Sequence, residues 1–322
     1  MGALWGVLIA LAALAVLVLG ISYVCFYIAF YMPEKNKKPK AEFELPEGKI
    51  YEPYADAMIG WMKQVRAMPS EDVQITTFDG LVLRGKYYEY APGAPVELMF
   101  HGYRGAAERD LCGGVQRCFK LGHSALLVDQ RAASKSQGNV ITFGLREHQD
   151  CLCWVDFMRK HFGEDVKIIL CGISMGATTV LMAAGEELPK NVVGVLADCG
   201  FSSAREIICK VIRQMGLPDQ LVYPFIRLGA WLYGGFNVEL ANATEALKRC
   251  KVPVLFFHGT ADDYVPWEMS RKNYEACASE KKLVCIDNAG HGLSYLMDPP
   301  LYLASVREFE VHWGIKGKEQ VG

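Results

Sequence analysis

The chain has 322 residues, 51% of them hydrophobic, with 34 basic side chains against 36 acidic ones. The charges are unevenly distributed, because no residue before Glu34 carries a charged side chain and 28 of the first 32 residues are apolar. The remaining 290 residues are about 47% apolar, which is ordinary for a soluble globular domain. This composition excludes a polytopic membrane protein, an intrinsically disordered chain and a protein that binds nucleic acid through its net charge.

The apolar opening predicts a transmembrane anchor over residues 1–33. Its uninterrupted part, 4–32, would be a helix of about 43 Å, which is long enough to cross a bilayer with some tilt. Trp5 lies near one end and five aromatic residues lie within 23–31, as in the aromatic belts of membrane interfaces. A cleaved signal peptide is the alternative, but such a peptide has a basic start and a shorter apolar core.

The residues that follow this segment predict its orientation. Lys35, Lys37, Lys38 and Lys40 come directly after it, and positive flanks stay cytoplasmic, so the main domain is expected on the cytoplasmic side. The eleven cysteines agree, since they are odd in number and many lie in apolar runs where reduced thiols are common. None forms a Cys-x-x-Cys pair, so no metal site is predicted.

Residues 34–70 predict a polar linker with a short helix near 55–68, and residues 71–322 predict one α/β domain. Strand-like runs occur at 73–77, 81–88, 96–100, 125–129, 167–171, 192–198, 254–258 and 283–287. Helix-like stretches occur at 106–121, 145–161, 177–187, 203–215, 268–279 and 300–313. Such alternation predicts a mostly parallel sheet with helices on both faces, and the first two strands read as an antiparallel pair.

One region, about 203–248, interrupts the alternation with apolar and aromatic residues. It is interpreted either as a helical hairpin that completes the outer layer or as a helical cap over a substrate pocket. We favour the cap, and we predict that Phe225 and Trp231 in it contact substrate.

The segment Gly172-Ile173-Ser174-Met175-Gly176 lies between an apolar strand and a helical stretch. That setting is typical of a nucleophile elbow, in which a serine takes a strained conformation on a sharp turn. Glycine two positions away on either side removes the clash that a side chain would cause there. We therefore predict that Ser174 is a nucleophile.

A serine nucleophile needs a histidine base and an orienting carboxylate, which follow it in the order Ser, acid, His in this type of site. Asp262 and Asp263 lie on a loop just after a predicted strand, and either could be the acid. Of the seven histidines, only His291 both follows these carboxylates and lies on a loop after a strand, between two glycines. His101 and His258 are interpreted as structural residues.

The tetrahedral intermediate of acyl transfer also needs two N–H donors. The backbone N–H of Met175, directly after the nucleophile, is predicted to be one donor, and that of Tyr103, on the loop after the third strand, the other. Arg104, beside Tyr103, is predicted to contact substrate.

The chain resembles the α/β-hydrolases, in particular prolyl-oligopeptidase-like esterases and membrane-anchored abhydrolase-domain proteins. The resemblance runs from about residue 70 to the C-terminus and rests on five motifs: His101-Gly102, Asp129-Gln-Arg131…Ser136-Gln-Gly138, Gly172-x-Ser174-x-Gly176, His258-Gly-x-x-Asp262-x-x-Val265-Pro266 and Gly290-His291. It implies an eight-stranded sheet, a Ser174–Asp262–His291 triad and no cofactor. One departure is Ala132-Ala133, where many relatives carry glycine. Asp129 and Arg131 are expected to form an ion pair that fixes their loop.

The leading hypothesis is a serine hydrolase that cleaves carboxylic esters with short to medium acyl chains, from small-molecule or lipid-like substrates. Serine peptidase and acyl-protein thioesterase are alternatives within the same fold. Only Glu239 and Glu245 in the cap could supply the acidic groups that a peptidase reading a free N-terminus needs. From other classes, the alternatives are a non-catalytic membrane-tethered binding protein and a scaffold that assembles through Gly2, Gly6 and Ala10. No nucleic-acid partner is expected, and the sequence does not indicate the oligomeric state.

Overall fold

The computed structural model describes residues 2–315, which contain one eight-stranded sheet. The strand order across the sheet is β1-β2-β4-β3-β5-β6-β7-β8. The strands are β1 (Glu71–Thr76), β2 (Val82–Tyr88), β3 (Val96–Phe100), β4 (Ser124–Asp129), β5 (Ile168–Ile173), β6 (Val192–Asp198), β7 (Val254–Gly259) and β8 (Lys281–Ile286). Each corresponds to one of the eight strand-like runs in the sequence.

The sheet is parallel except at one edge. Strand β2 pairs antiparallel with both β1 and β4, and every other neighbouring pair is parallel. The central strands are buried on both faces, so β3 and β7 are buried along their whole length. This explains why their sequences are apolar without alternation, and it confirms the predicted mostly parallel architecture.

Helices cover both faces of the sheet. The helices of the domain are α2 (Glu34–Lys37), α3 (Ala55–Ala67), α4 (Ala107–Leu121), α5 (Glu147–Phe162), α6 (Met175–Ala183), α7 (Ala204–Gln214), α8 (Asp219–Gly234), α9 (Ala243–Leu247), α10 (Trp267–Ala276), α11 (Ser294–Met297) and α12 (Pro299–His312). Successive residues of β3 enter opposite cores, since Leu98 belongs to the same apolar cluster as Trp154 of α5 and Met99 to the same cluster as Leu111 of α4. Period-two side-chain alternation thus builds two apolar layers from one strand.

Helix α1 (Gly2–Ala29) is the long apolar N-terminal segment, and it is long and apolar enough to cross a membrane. Its last third is docked on the domain. Ser22, Phe26 and Phe30 are buried at four-residue spacing, so one helical face contacts the protein. The other residues of 2–21 are exposed apart from Val18, which is half-buried.

The docked end of α1 belongs to a third apolar cluster, together with helices α7 and α8. Phe26, Phe30 and Met32 are buried there beside Phe143 and Phe236. The last residues of α1 are therefore packed into the domain rather than held apart from it. Removing all of 1–33 would open the cluster to solvent.

The expected ion pair between Asp129 and Arg131 was wrong. Arg131 does not pair with Asp129: its guanidinium donates to both carboxylate oxygens of Asp150 at 2.7 Å and also pairs with Asp79 at 3.0 Å. The Asp129 carboxylate instead accepts from the backbone N–H of Ala107 at 2.9 Å. Within the segment 34–70, residues 49–54 form a 3₁₀ helix that packs beside the loop of His291.

Candidate active site

Ser174 lies on a sharp turn between β5 and α6, with φ of 56° and ψ of −120°. A non-glycine residue in this region is strained, and the surrounding packing must hold it there. The flanking glycines explain how. A Cβ at Gly172 would collide with the carbonyl of Gly176, and a Cβ at Gly176 would collide with the carbonyl of Phe100. The turn has the geometry of a nucleophile elbow.

Ser174, His291 and Asp262 form one hydrogen-bonded chain. The Ser174 hydroxyl lies 2.9 Å from Nε2 of His291, and Nδ1 of His291 lies 2.7 Å from Oδ2 of Asp262. The three side chains come from loops after β5, β8 and β7, so the carboxyl ends of three parallel strands bring them together. Their order and positions suit a nucleophile, a base and an orienting acid.

Asp262 is held in one orientation by its own loop. Its Oδ1 accepts from the backbone N–H groups of Tyr264 at 3.0 Å and Val265 at 2.8 Å. Burial raises the pKa of the Asp262 carboxyl, but hydrogen bonds from His258 and His291 outweigh burial and hold that pKa below its usual range. Of the two candidate carboxylates, it is Asp262 that contacts the His291 imidazole, so the structure distinguishes it from Asp263.

His101 and His258 have structural environments. His258 is fully buried, with its ring nitrogens 2.7 Å from the Ser270 hydroxyl and 2.8 Å from the Val265 carbonyl. Its Nε2 also lies 3.4 Å from Oδ2 of Asp262. His101 accepts from the backbone N–H of Gln130 at 3.0 Å. His258 thus supports the candidate acid from the end of strand β7.

The two expected oxyanion donors lie on either side of Ser174. Met175 is the first residue of α6, so its N–H is unused by the helix and carries the partial positive charge of a helix N-terminus. The loop that contains Tyr103 is close to the nucleophile, because a Cβ on Gly102 would stand 3.5 Å from Cβ of Ser174. Among residues 2–315, nothing accepts a hydrogen bond from the N–H of Tyr103 or Met175.

The loop with Tyr103 is tied to the end of helix α1. The Tyr103 hydroxyl donates to the carbonyl of Ala29 at 2.8 Å. The Arg104 guanidinium donates to the carbonyls of Ile28 at 2.8 Å and Tyr31 at 3.1 Å. Carbonyls at a helix C-terminus lack partners within the helix, and a cation is favourable there. Arg104, predicted to contact substrate, therefore binds the helix that precedes the domain.

An apolar wall lies beside the nucleophile. Met175 is buried in the third cluster with Phe143 and Phe201, and the ring of Tyr103 packs 5.1 Å from that of Phe143. The predicted contacts Phe225 and Trp231 are not part of this cluster in the described chain; Trp231 is 64% exposed on the outer face of α8. The wall is built instead by the end of α1 and by the loop around Phe143.

Three residues near the candidate triad were not predicted. The Tyr51 hydroxyl donates to the carbonyl of His291 at 3.0 Å, and the ring of Tyr264 lies 5.0 Å from that of His291. The Sγ of Cys199 lies within 4.8 Å of ligand atoms of Asp262 and His291. Burial and the neighbouring Asp198 carboxylate raise the pKa of the Cys199 thiol well above its usual value, so it packs there as a neutral group.

Comparison with known proteins gives relatives of low sequence identity. No family model matches the chain. It is 28% identical over 190 residues to the uncharacterized protein YqkD of Bacillus subtilis, a match that covers 59% of this chain and 62% of YqkD. It is 23% identical over 276 residues to the uncharacterized protein YfhR of Escherichia coli K12, a match that covers 84% of this chain and 86% of YfhR. It is 31% identical over 148 residues to the thiohydrolase aneE of Aspergillus aculeatus, a match that covers 45% of this chain and 46% of aneE.

Solved structures resemble the chain over most of its length. The esterase Pf2001 of Pyrococcus furiosus superposes with a TM-score of 0.62 at 22% identity, covering 86% of this chain and 99% of that one. The protein has the α/β-hydrolase fold. Est1E of Butyrivibrio proteoclasticus with bound ferulic acid superposes with a TM-score of 0.57 at 20% identity, covering 76% of this chain and 100% of that one. The mouse α/β hydrolase domain-containing protein 10 superposes at 0.53 and 19% identity, covering 74% and 98%.

Within the α/β-hydrolase fold, the candidate triad follows the chain order Ser174, Asp262, His291 expected for such sites. Helix α1 lies outside the sheet and its flanking helices, but it supplies part of the apolar wall next to the elbow.

Proposed function

We propose that this protein is a serine hydrolase that cleaves carboxylic esters through an acyl-enzyme on Ser174. The observation that carries the proposal is the continuous hydrogen-bonded chain from Ser174 through His291 to Asp262, on a strained serine turn with two unused N–H groups beside it. A structural serine has no need of this strain, which costs of order 1–3 kcal/mol.

The reaction follows from these positions. His291 Nε2 takes the proton of the Ser174 hydroxyl as its oxygen attacks the substrate carbonyl, and the C=O bond opens to an oxyanion. The N–H groups of Met175 and Tyr103 stabilise that oxyanion. His291 then donates the proton to the leaving alkoxide, and the acyl-enzyme forms as the ester bond breaks. Water, deprotonated by the same imidazole, hydrolyses the acyl-enzyme, while Asp262 keeps the ring in the required tautomer.

The acyl group is proposed to be short or medium in length. The apolar wall of Met175, Phe143 and Phe201 supports an apolar acyl group next to the nucleophile. A peptidase that reads a free amine is less favoured, because Glu239 accepts from the Tyr223 hydroxyl at 3.1 Å and Glu245 pairs with Lys248 at 2.7 Å.

A thioester is the second candidate substrate class. One relative, 31% identical over 148 residues, is named a thiohydrolase, and the same triad chemistry serves a thiolate leaving group. Substrate profiling with matched esters, thioesters and peptides, the acyl groups ranging from acetyl to medium-chain, distinguishes these classes. Turnover of aminopeptides alone would refute the esterase proposal.

Labelling with a fluorophosphonate tests the nucleophile directly. We expect the full-length protein in detergent to be labelled, Ser174→Ala to resist labelling, and Ser70→Ala, which changes an exposed serine, to be labelled normally. Absence of labelling together with absence of hydrolysis would favour a non-catalytic binding protein that retains the fold.

We also propose that α1 crosses a membrane and that the hydrolase domain is cytoplasmic. The length and hydropathy of Gly2–Ala29 support the crossing, and the exposed Lys35, Lys38 and Lys40 support the orientation. Lys37 contributes less, because it is buried against Glu34 and the Ser136 carbonyl. A reporter fused to the C-terminus of the full chain in intact cells should be inaccessible to an impermeant label; labelling from outside would reverse the orientation.

A further inference from the structure

The outer face of helix α8 is apolar along its whole length. At about 100° per residue, six of its residues fall within roughly 120° of the helix circumference. They are Leu221, Pro224, Phe225, Leu228, Trp231 and Leu232. Leu221 is 68% exposed, and only Phe225 and Leu228 of the six are half-buried. The charged Arg227 lies at the edge of this face.

The inner face of α8 is also apolar. Tyr223, Ile226 and Ala230 are buried in the third cluster, where they pack with α7 and the end of α1. A helix that is hydrophobic on all sides is normally buried in protein or in lipid. We therefore expect the outer face of α8 to contact another apolar surface, since an exposed apolar stripe of this length is typical of an interaction surface.

Helix α8 lies directly against helix α1. A Cβ at Gly229 would collide with the carbonyl of Ser22, so the two backbones are in close contact. The Tyr233 hydroxyl donates to the carbonyl of Leu19 at 3.0 Å, and its ring packs edge-on against Tyr23 at 5.2 Å. The outer face of α8 thus continues the surface of α1.

The length of α1 indicates how deep in the bilayer the contact between α1 and α8 would lie. Helix α1 has 28 residues, and a bilayer core requires about 20. Whichever stretch of about 20 residues within 2–29 fills the bilayer core, that stretch includes residues 10–21. Leu19 therefore lies at the depth of the hydrocarbon core however the helix is shifted along the membrane normal. Tyr233, which binds the Leu19 carbonyl, then lies at the membrane surface or within it.

We propose that the outer face of α8 is a membrane-binding surface that is inserted into the interface of the bilayer crossed by α1. The inference rests on the proposed crossing of α1. Trp231 and Tyr233 are residue types favoured at the headgroup level, and the long side chain of Arg227 can reach the lipid phosphates. Since α8 shares its inner face with the wall beside Met175, lipid-borne acyl groups would meet the nucleophile close to the membrane surface.

Tryptophan quenching by brominated lipid tests the proposal in the full-length protein. The protein would be reconstituted in phosphatidylcholine vesicles with and without bromine on the acyl chains. Of its six tryptophans, Trp5 in α1 and Trp231 in α8 are the two that the proposal exposes to lipid. We expect Trp231→Phe to lose part of the bromine quenching, Trp5→Phe to lose another part, and Trp267→Phe, at the start of α10, to lose none.

The outcomes separate the two claims. If Trp5→Phe reduces the bromine quenching and Trp231→Phe leaves it unchanged, α1 is inserted but the α8 surface is not, and the proposal is overturned. Unquenched fluorescence in every variant would overturn both the crossing and the surface. A second copy of the chain covering α8 would also overturn the proposal; it would appear as a dimer in detergent that Leu221→Asp dissociates.

Discussion

Replacement of Phe30 by alanine tests whether the end of α1 is part of the folded domain. Phe30 is 0% exposed, and its ring packs edge-on against Phe143 at 5.6 Å and Phe236 at 5.2 Å. Truncation of a buried phenylalanine costs about 3–5 kcal/mol, from lost transfer energy and the cavity that remains. At an unfolding entropy of about 2.1 cal/mol/K per residue, a domain of roughly 290 residues should lose about 5 to 8 °C in its unfolding midpoint.

The assay is thermal unfolding of the full-length protein in detergent micelles, followed by near-ultraviolet circular dichroism at one scan rate. Leu17→Ala is the matched control, because Leu17 lies on the same helix but is 58% exposed and outside the docked face. We expect its midpoint to stay within about 1 °C of wild type, as for most surface changes. Equal midpoints for Phe30→Ala and Leu17→Ala would refute the docking of α1.

Three further predictions concern the site. Asp262→Asn should lower kcat by about 10⁴, measured with a saturating ester, because the histidine loses its tautomer-setting partner; a change below about tenfold would argue against this acid. His258→Gln removes one of the hydrogen bonds that hold the pKa of Asp262 below its usual range, so that pKa should rise in an NMR titration of the Asp262 carboxyl carbon; an unmoved titration would contradict this. Tyr103→Phe breaks the hydrogen bond to the carbonyl of Ala29, which is worth about 1 kcal/mol. This variant should lower kcat roughly fivefold and leave KM unchanged. A change in KM alone would indicate a binding role instead.

The strands and the candidate triad could be predicted because each depends on local sequence. A parallel strand buried on both faces must be apolar, and β3 and β7 show this. The serine turn demands glycine at fixed positions, so Gly172 and Gly176 identify it in the sequence alone.

Contacts between distant segments could not be predicted in this way. The buried stripe of Ser22, Phe26 and Phe30 lies in a helix where nearly every residue is apolar, so its docked face has no distinguishing pattern. Tyr51 reaches His291 across 240 positions of sequence. The choice between Asp129 and Asp150 as partner of Arg131 likewise depends on how the chain folds back.

Trapping of the acyl-enzyme tests the central claim most directly. The full-length protein would be mixed with a short-chain ester, quenched in acid within the first turnover and digested for mass spectrometry. We predict an acyl group on the peptide that contains Ser174 in the wild-type protein, lost once the substrate is exhausted and absent at all times from Ser174→Ala. Ester hydrolysis that continues undiminished in Ser174→Ala, without an acylated peptide in wild type, would contradict the account.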